Sequence, residues 1–185
     1  MTRAGKEWEK IPETAQMTWQ TYVAIQCALK HAKELVTNAG QAIGESADPG
    51  DWHENFAFEQ AHRDHDQAIA LKDWLHNLLS TRISFISPRQ DIESVDLGNQ
   101  VTILDENGES KTITLLSTFD ARFGPKQYMP ISNETPLGRE IVGKQVGETV
   151  TIHVIEHRQR FEHHWKILNI LPGNFQAPPE NLTLV

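Results

Sequence analysis

The sequence predicts an α+β protein, an N-terminal antiparallel helical hairpin followed by a small antiparallel β domain. Three observations carry that expectation. Apolar residues recur at alternating steps of three and four over two adjacent stretches, the first from Tyr22 to Ile43 and the second from Ala57 to Leu78. The break between them, Asp48-Pro49-Gly50, is a helix stop and turn. From about Ile83 onward the pattern changes to short alternating runs separated by turn residues.

Residues 1–13 read as a lead-in. The first helix is expected from about Thr14, with a seam of Tyr22, Ile25, Leu29, Ala32, Val36, Ala39 and Ile43. Its frequent alanines permit close approach of a partner helix. The turn at 48–54 forms the tip. Asp51 is a good N-cap for the second helix, and Glu54 stands three residues on, where it completes a capping box. The second seam is Ala57, Ala61, Asp64, Ala68, Leu71, Leu75 and Leu78, with Asp64 its one polar member. At about 1.5 Å per residue this helix reaches roughly 40 Å. The hairpin is therefore assigned to residues 1–82.

The second domain is assigned to 83–185. Ile83–Ile86 alternates, and Val101–Leu104 leads into Asn107-Gly108, a strong hairpin signal, with Lys111–Leu116 as the return strand. Thr149–Ile155 and His164–Leu171 read as two more strands. Between them Thr135 can cap, Pro136 suits the first helical position and Gly143 can close a short helix. Phe119, Phe123, Tyr128, Phe161 and Trp165 are expected to pack the sheet core. The Pro-rich tail from Pro172 reads as loose.

Composition narrows the function classes. Asp and Glu number 25 against 17 Lys and Arg, a net charge of −8, which excludes a surface that holds nucleic acid along its length. Any RNA contact is local or routed through a protein partner. Cys27 is the single cysteine, so an intramolecular disulfide and a Cys-based zinc site are both excluded. No run reaches the roughly 18 apolar residues of a membrane span, and residues 1–10 lack a signal-peptide pattern. The expectation is a soluble, cytoplasmic monomer with no membrane partner. His62, His65 and Asp66, and separately His153, His157, His163 and His164, read as exposed faces rather than metal ligands.

Two motifs resemble the GreA/GreB transcript-cleavage factors. Gly50-Asp51-Trp52-His53-Glu54-Asn55 resembles the G-D-x-x-E-N tip of that family's coiled coil. Ile131-Ser132-Asn133-Glu134-Thr135-Pro136-Leu137-Gly138, followed by Gly143-Lys144 and Gly147-Glu148-Thr149-Val150, resembles its C-terminal pattern. The resemblance spans roughly Tyr22 to Leu171. Bulky Trp52, His53 and Phe56, and few basic residues after the tip, mark a divergent member.

The resemblance implies an FKBP-like C-terminal domain that docks on core RNA polymerase at the rim of its secondary channel. It places Ser132, Glu134, Thr135, Pro136, Leu137, Gly138 and Arg139 at that contact, and His62 and Arg63 toward the 3′ end of backtracked RNA. It also implies that Asp51 and Glu54 deliver carboxylates to a Mg²⁺ shared with the polymerase active site, the chain having no cofactor of its own. On this reading the chain is not itself an enzyme but stimulates the polymerase's cleavage of RNA. Spacing alone leaves the bland role open, because a helix cap needs the same two residue types. The alternatives are a channel-binding inhibitor without cleavage activity, a prolyl isomerase and a coiled-coil adaptor.

Overall fold

In a computed structural model, the residues described are 10–46, 56–156 and 159–180. The elements run β1 (Thr14–Met17), α1 (Trp19–Ser46), α2 (Phe56–Leu79), β2 (Arg82–Phe85), β3 (Asn99–Leu104), β4 (Ser110–Leu116), α3 (Thr118–Phe123), a 3₁₀ turn (Lys126–Tyr128), β5 (Pro130–Ser132), α4 (Pro136–Ile141), β6 (Thr149–Glu156) and β7 (Gln159–Pro172). The helical hairpin and the following sheet give the α+β class that the sequence predicts.

The chain divides into two compact units. One holds the residues up to Ala15 and Val23–Ile83; the other holds Gln16–Tyr22 and the chain from Ser84 onward. The first turn of α1 thus belongs with the sheet unit rather than with the hairpin, a boundary different from the expected division at residue 83.

The hairpin seam follows the sequence closely on α1. Tyr22, Ile25 and Ala32 are buried, and Leu29, Val36, Ala39 and Ile43 are half-buried. On α2 the seam is partly out of phase with expectation. Ala61, Ala68, Leu75 and Leu78 are buried as foreseen, but Ala57, Asp64 and Leu71 are exposed, while Phe58, His65 and Lys72 are half-buried. Asp64 instead accepts a hydrogen bond from Gln60 Nε2 at 2.7 Å on the exposed face. The polar residues in the half-buried phase are His65 and Lys72, and His65 Cδ2 lies 4.0 Å from where a Cβ on Gly40 would stand, an ordinary packing distance.

The expected helix start at Thr14 is replaced by β1. Its residues alternate, with Ala15 and Met17 buried and Thr14 and Gln16 exposed. A period of two is a strand signature, and four residues are too few to show it above the helical pattern that follows. α1 begins after Thr18, whose Oγ1 accepts from Thr21 N at 3.3 Å as a cap would.

The sheet unit is built on five strands in the order β5-β4-β3-β7-β6. All pairings are antiparallel except β4 with β5, which is parallel. The expected wholly antiparallel sheet is corrected at that edge, because α3 and the 3₁₀ turn carry the chain back before β5 begins. The β3–β4 turn holds Gly108 at φ +83, a conformation few other residues adopt. The core is aliphatic: Val95, Val101, Ile103, Ile113, Leu115, Ile141, Val150, Ile167 and Ile170. The expected aromatic core is overturned. Phe161 is exposed, Phe119, Phe123 and Tyr128 are half-buried, and only Trp165 packs on the rim of that cluster.

The tail beyond Pro172 is ordered through Gln176, against the expectation that it is loose. Gly173 N donates to Gly98 O at 2.8 Å, Phe175 packs with Ile86 and Leu116, and Gln176 O accepts from Gln20 Nε2 at 3.1 Å.

Candidate functional site

Two separate groups of residues are candidates, one on each unit. Asp51 and Glu54, the expected metal-delivering pair, lie outside the described residues. The helix that follows them is described from Phe56, and it carries His62 and Arg63 on its exposed face. His62 meets the Phe58 ring edge to face at 4.4 Å between centroids. Arg63 is held by its own helix, with Nη1 3.5 Å from Glu59 Oε2 and Nη2 3.1 Å from Gln60 Oε1.

The second group is the loop from Ser132 into α4. Its local fold is explained by four hydrogen bonds and one close backbone approach. Ser132 Oγ lies 2.9 Å from Thr118 Oγ1 and accepts from Glu134 N at 3.0 Å, fixing the loop to the start of α3. Thr135 Oγ1 donates to Ser132 O at 2.7 Å and accepts from Gly138 N at 3.1 Å, capping α4 with Pro136 in its first turn. Gly138 then passes so close to the turn that a Cβ would stand 2.0 Å from Ser132 O. A backbone oxygen cannot yield as a flexible side chain does, so this position admits no side chain.

The expected docking residues therefore separate by role. Ser132 and Gly138 are buried and shape the loop, Thr135 and Leu137 are half-buried, and Glu134, Pro136 and Arg139 are exposed. Leu137 packs against the aliphatic core. The exposed set presents one anion, one cation and one apolar ring.

Beside this loop lies an open hollow of about 290 Å³, lined by Ile113, Lys126, Met129, Pro130 and Ile131. Met129 stands in the left-handed region at φ +45 and is 59% exposed. The 3₁₀ turn enforces that conformation, since Met129 N donates to Lys126 O at 2.9 Å. Sequence reasoning missed this hollow. The only signal available was Pro125 and Pro130 bracketing the four residues 126–129.

Comparison with known proteins bears on both groups. The family description "Transcription elongation factor, GreA/GreB, C-term" matches residues 89–172, which covers the sheet from β3 to β7 and the capped loop. Transcription elongation factor GreA of Thermosipho africanus is 32% identical over 143 residues, spanning 76% of this chain and 88% of that one. The chain belongs to the GreA/GreB family. GreA of Thermosipho melanesiensis matches at the same identity and coverage. Among solved structures, GreA factor homolog 1 of Thermus thermophilus is 20% identical, covers 85% of this chain and 98% of its own, and superposes with a TM-score of 0.37. The family assignment rests on the sequence matches. They extend over more of the chain than residues 89–172.

Among the described residues no group of three or more His, Cys, Asp or Glu is placed to hold a metal ion. His153, His163 and His164 instead pair with Glu162, Glu106 and Thr151 respectively. No helix among the described residues is long and apolar enough to cross a membrane.

Proposed function

We propose that this chain binds core RNA polymerase through its secondary channel, as a cytoplasmic monomer, and stimulates the polymerase's own cleavage of backtracked RNA. The observation that carries the reading is membership of the GreA/GreB family over a match spanning 76% of the chain, with Asp51 and Glu54 in a G-D-x-x-E-N sequence.

The division of labour follows from the residues. Glu134, Pro136 and Arg139 meet the polymerase on a loop that Ser132, Thr135 and Gly138 hold rigid, so little ordering entropy is lost on docking. Asp51 and Glu54 reach the site where RNA is cut. Two carboxylates are hard oxygen donors, and Mg²⁺ takes one or two such ligands while keeping several waters, so the donor set fits the ion. When held there, a second magnesium supplies the positive charge that activates water and stabilises the leaving oxygen. The chain contributes ligands and position, and the polymerase remains the nuclease. Arg63 and His62 face the displaced RNA.

The test is stimulation of RNA cleavage in stalled elongation complexes, together with co-purification on core polymerase. Binding with stimulation is expected. Binding that blocks the channel without cleavage would make the chain an inhibitor. Failure to bind polymerase would leave the adaptor reading.

A further inference from the structure

We propose that the ring of Phe56 is a stacking surface for an unpaired nucleobase, namely the 3′-terminal base of the displaced RNA. The identity of that base rests on the polymerase reading above; the stacking surface itself rests on geometry. Phe56 opens α2 and is 73% exposed, whereas the next most exposed aromatic ring among the described residues, Phe161, is 40% exposed. Arg63, two helical turns on, places its guanidinium carbon 5.8 Å from the Phe56 centroid. One side of the ring is thus met by a cation, and most of the residue is exposed. The neighbouring Phe58 is unlike it, being half-buried and engaged edge to face by His62.

The chemistry of this pair suits one nucleotide. Every base has a π-face, so stacking on an aromatic ring needs no matching hydrogen bonds. A guanidinium over the far side enriches the arrangement by cation–π attraction. Arg63 has five N–H donors; three of them go to Gln60 Oε1 and Glu59 Oε2, which leaves two for a phosphate. In a chain of net charge −8, attraction along a wide basic surface is not available, and a stacked base is the contact that works without it. Phe56 also stands two residues after Glu54 in the sequence, next to the acids assigned to the cleavage step. Phe56 is a positioning residue on this account. It fixes the RNA end and takes no part in proton or phosphoryl transfer.

The experiment measures affinity of the full-length chain for backtracked elongation complexes whose 3′-terminal nucleotide carries adenine, uracil or no base. Wild type should bind the adenine complex about tenfold more tightly than the abasic one, with uracil between, because purines stack better. Phe56→Trp should keep that order. Phe56→Leu should flatten it while binding the abasic complex as wild type does. Equal wild-type affinity for all three complexes overturns the stacking surface and leaves the polymerase reading intact. Retention of the adenine preference in Phe56→Leu also overturns it, since leucine plugs an apolar pocket but cannot stack. Should the chain bind none of the complexes, the polymerase reading fails. Titration with an adenosine pentanucleotide then decides the stacking surface alone: movement of the Phe56 ring resonances supports it, and their constancy overturns it.

Discussion

At the residue scale, the side chain that organises the sheet unit is Asp120. It is fully buried, and its carboxylate accepts from Thr18 N at 2.9 Å, Thr18 Oγ1 at 2.8 Å, Ser117 N at 3.2 Å and Ser117 Oγ at 2.7 Å. Asp120→Ala strands two amides and two hydroxyls in the interior and should cost about 3–4 kcal/mol, read as a lowered urea midpoint with unchanged slope. Asp105 is a different case, on an exposed turn. The Glu109 amide holds its carboxyl below the ordinary value of 3.8, with the Asn107 amide adding to the effect. A carboxyl whose pKa is lowered by folding stabilises the fold at pH above its unfolded value. That contribution fades as pH falls below 3.8 toward the lowered value. Titration of Asp105 by NMR should give a midpoint under 3.8, and Asp105→Asn should reduce the pH dependence of stability in that window. Neither aspartate stands out in the sequence. Ser117 and Asp120 have capping-box spacing, but α3 is six residues long and too short to show a period.

At the scale of elements, the helices were legible because a repeat of three and four survives over many residues. On α1 the phase of Tyr22, Ile25, Leu29, Ala32 and Val36 outweighs the others, although Val23 and Leu35 lie exposed outside it. On α2 two phases compete: Ala57, Asp64 and Leu71 fit the step as well as Phe58, His65 and Lys72, and small alanines at 61 and 68 serve both. What decides between them is packing against the facing helix, which no single-helix pattern contains. Substitutions distinguish the phases. Leu75→Ala should cost about 2–5 kcal/mol as a buried truncation. Asp64→Ala should fall within about 0.5 kcal/mol of wild type, as an exposed change does. A large loss at Asp64, measured by denaturant unfolding, would return it to the seam. The capped loop was legible for a simpler reason. Thr135, Pro136 and Gly143 each have one physical use in that order, as cap, first helical residue and helix close, whereas the adjoining hollow depends on the left-handed Met129, which has no sequence signature. The tail was misread because Pro172, Gly173, Pro178 and Pro179 concealed Phe175, whose burial is set by partners far away in sequence, Ile86 and Leu116.

At the scale of the whole molecule, the sheet unit borrows its missing piece from the start of the chain. Gln16–Tyr22 contributes the Thr18 bonds to Asp120, the Met17 carbonyl that accepts from Ile86 N at 2.9 Å, and the Trp19 and Tyr22 rings packed on Phe85 at 5.8 and 5.6 Å. A fragment of residues 83–185 lacks all of these. It should melt at a lower temperature than the sheet unit does in the full chain, by several degrees for each kcal/mol lost. A fragment that melts with the full-length sheet unit would show that the segment is dispensable. The acidic pair was legible only as a residue pattern, since capping and metal delivery ask for the same side chains at the same spacing. The measurement that separates them, and tests the proposed function most directly, compares wild type with the double variant Asp51→Asn, Glu54→Gln in RNA cleavage by backtracked elongation complexes. The substitutions keep size and some capping ability, so the helix should lose no more than about 1 kcal/mol. The account predicts polymerase affinity within about twofold of wild type, cleavage lower by roughly 100-fold or more, and partial recovery at raised magnesium. Cleavage by the double variant at the wild-type rate, or a wild type that binds without stimulating cleavage, would contradict it.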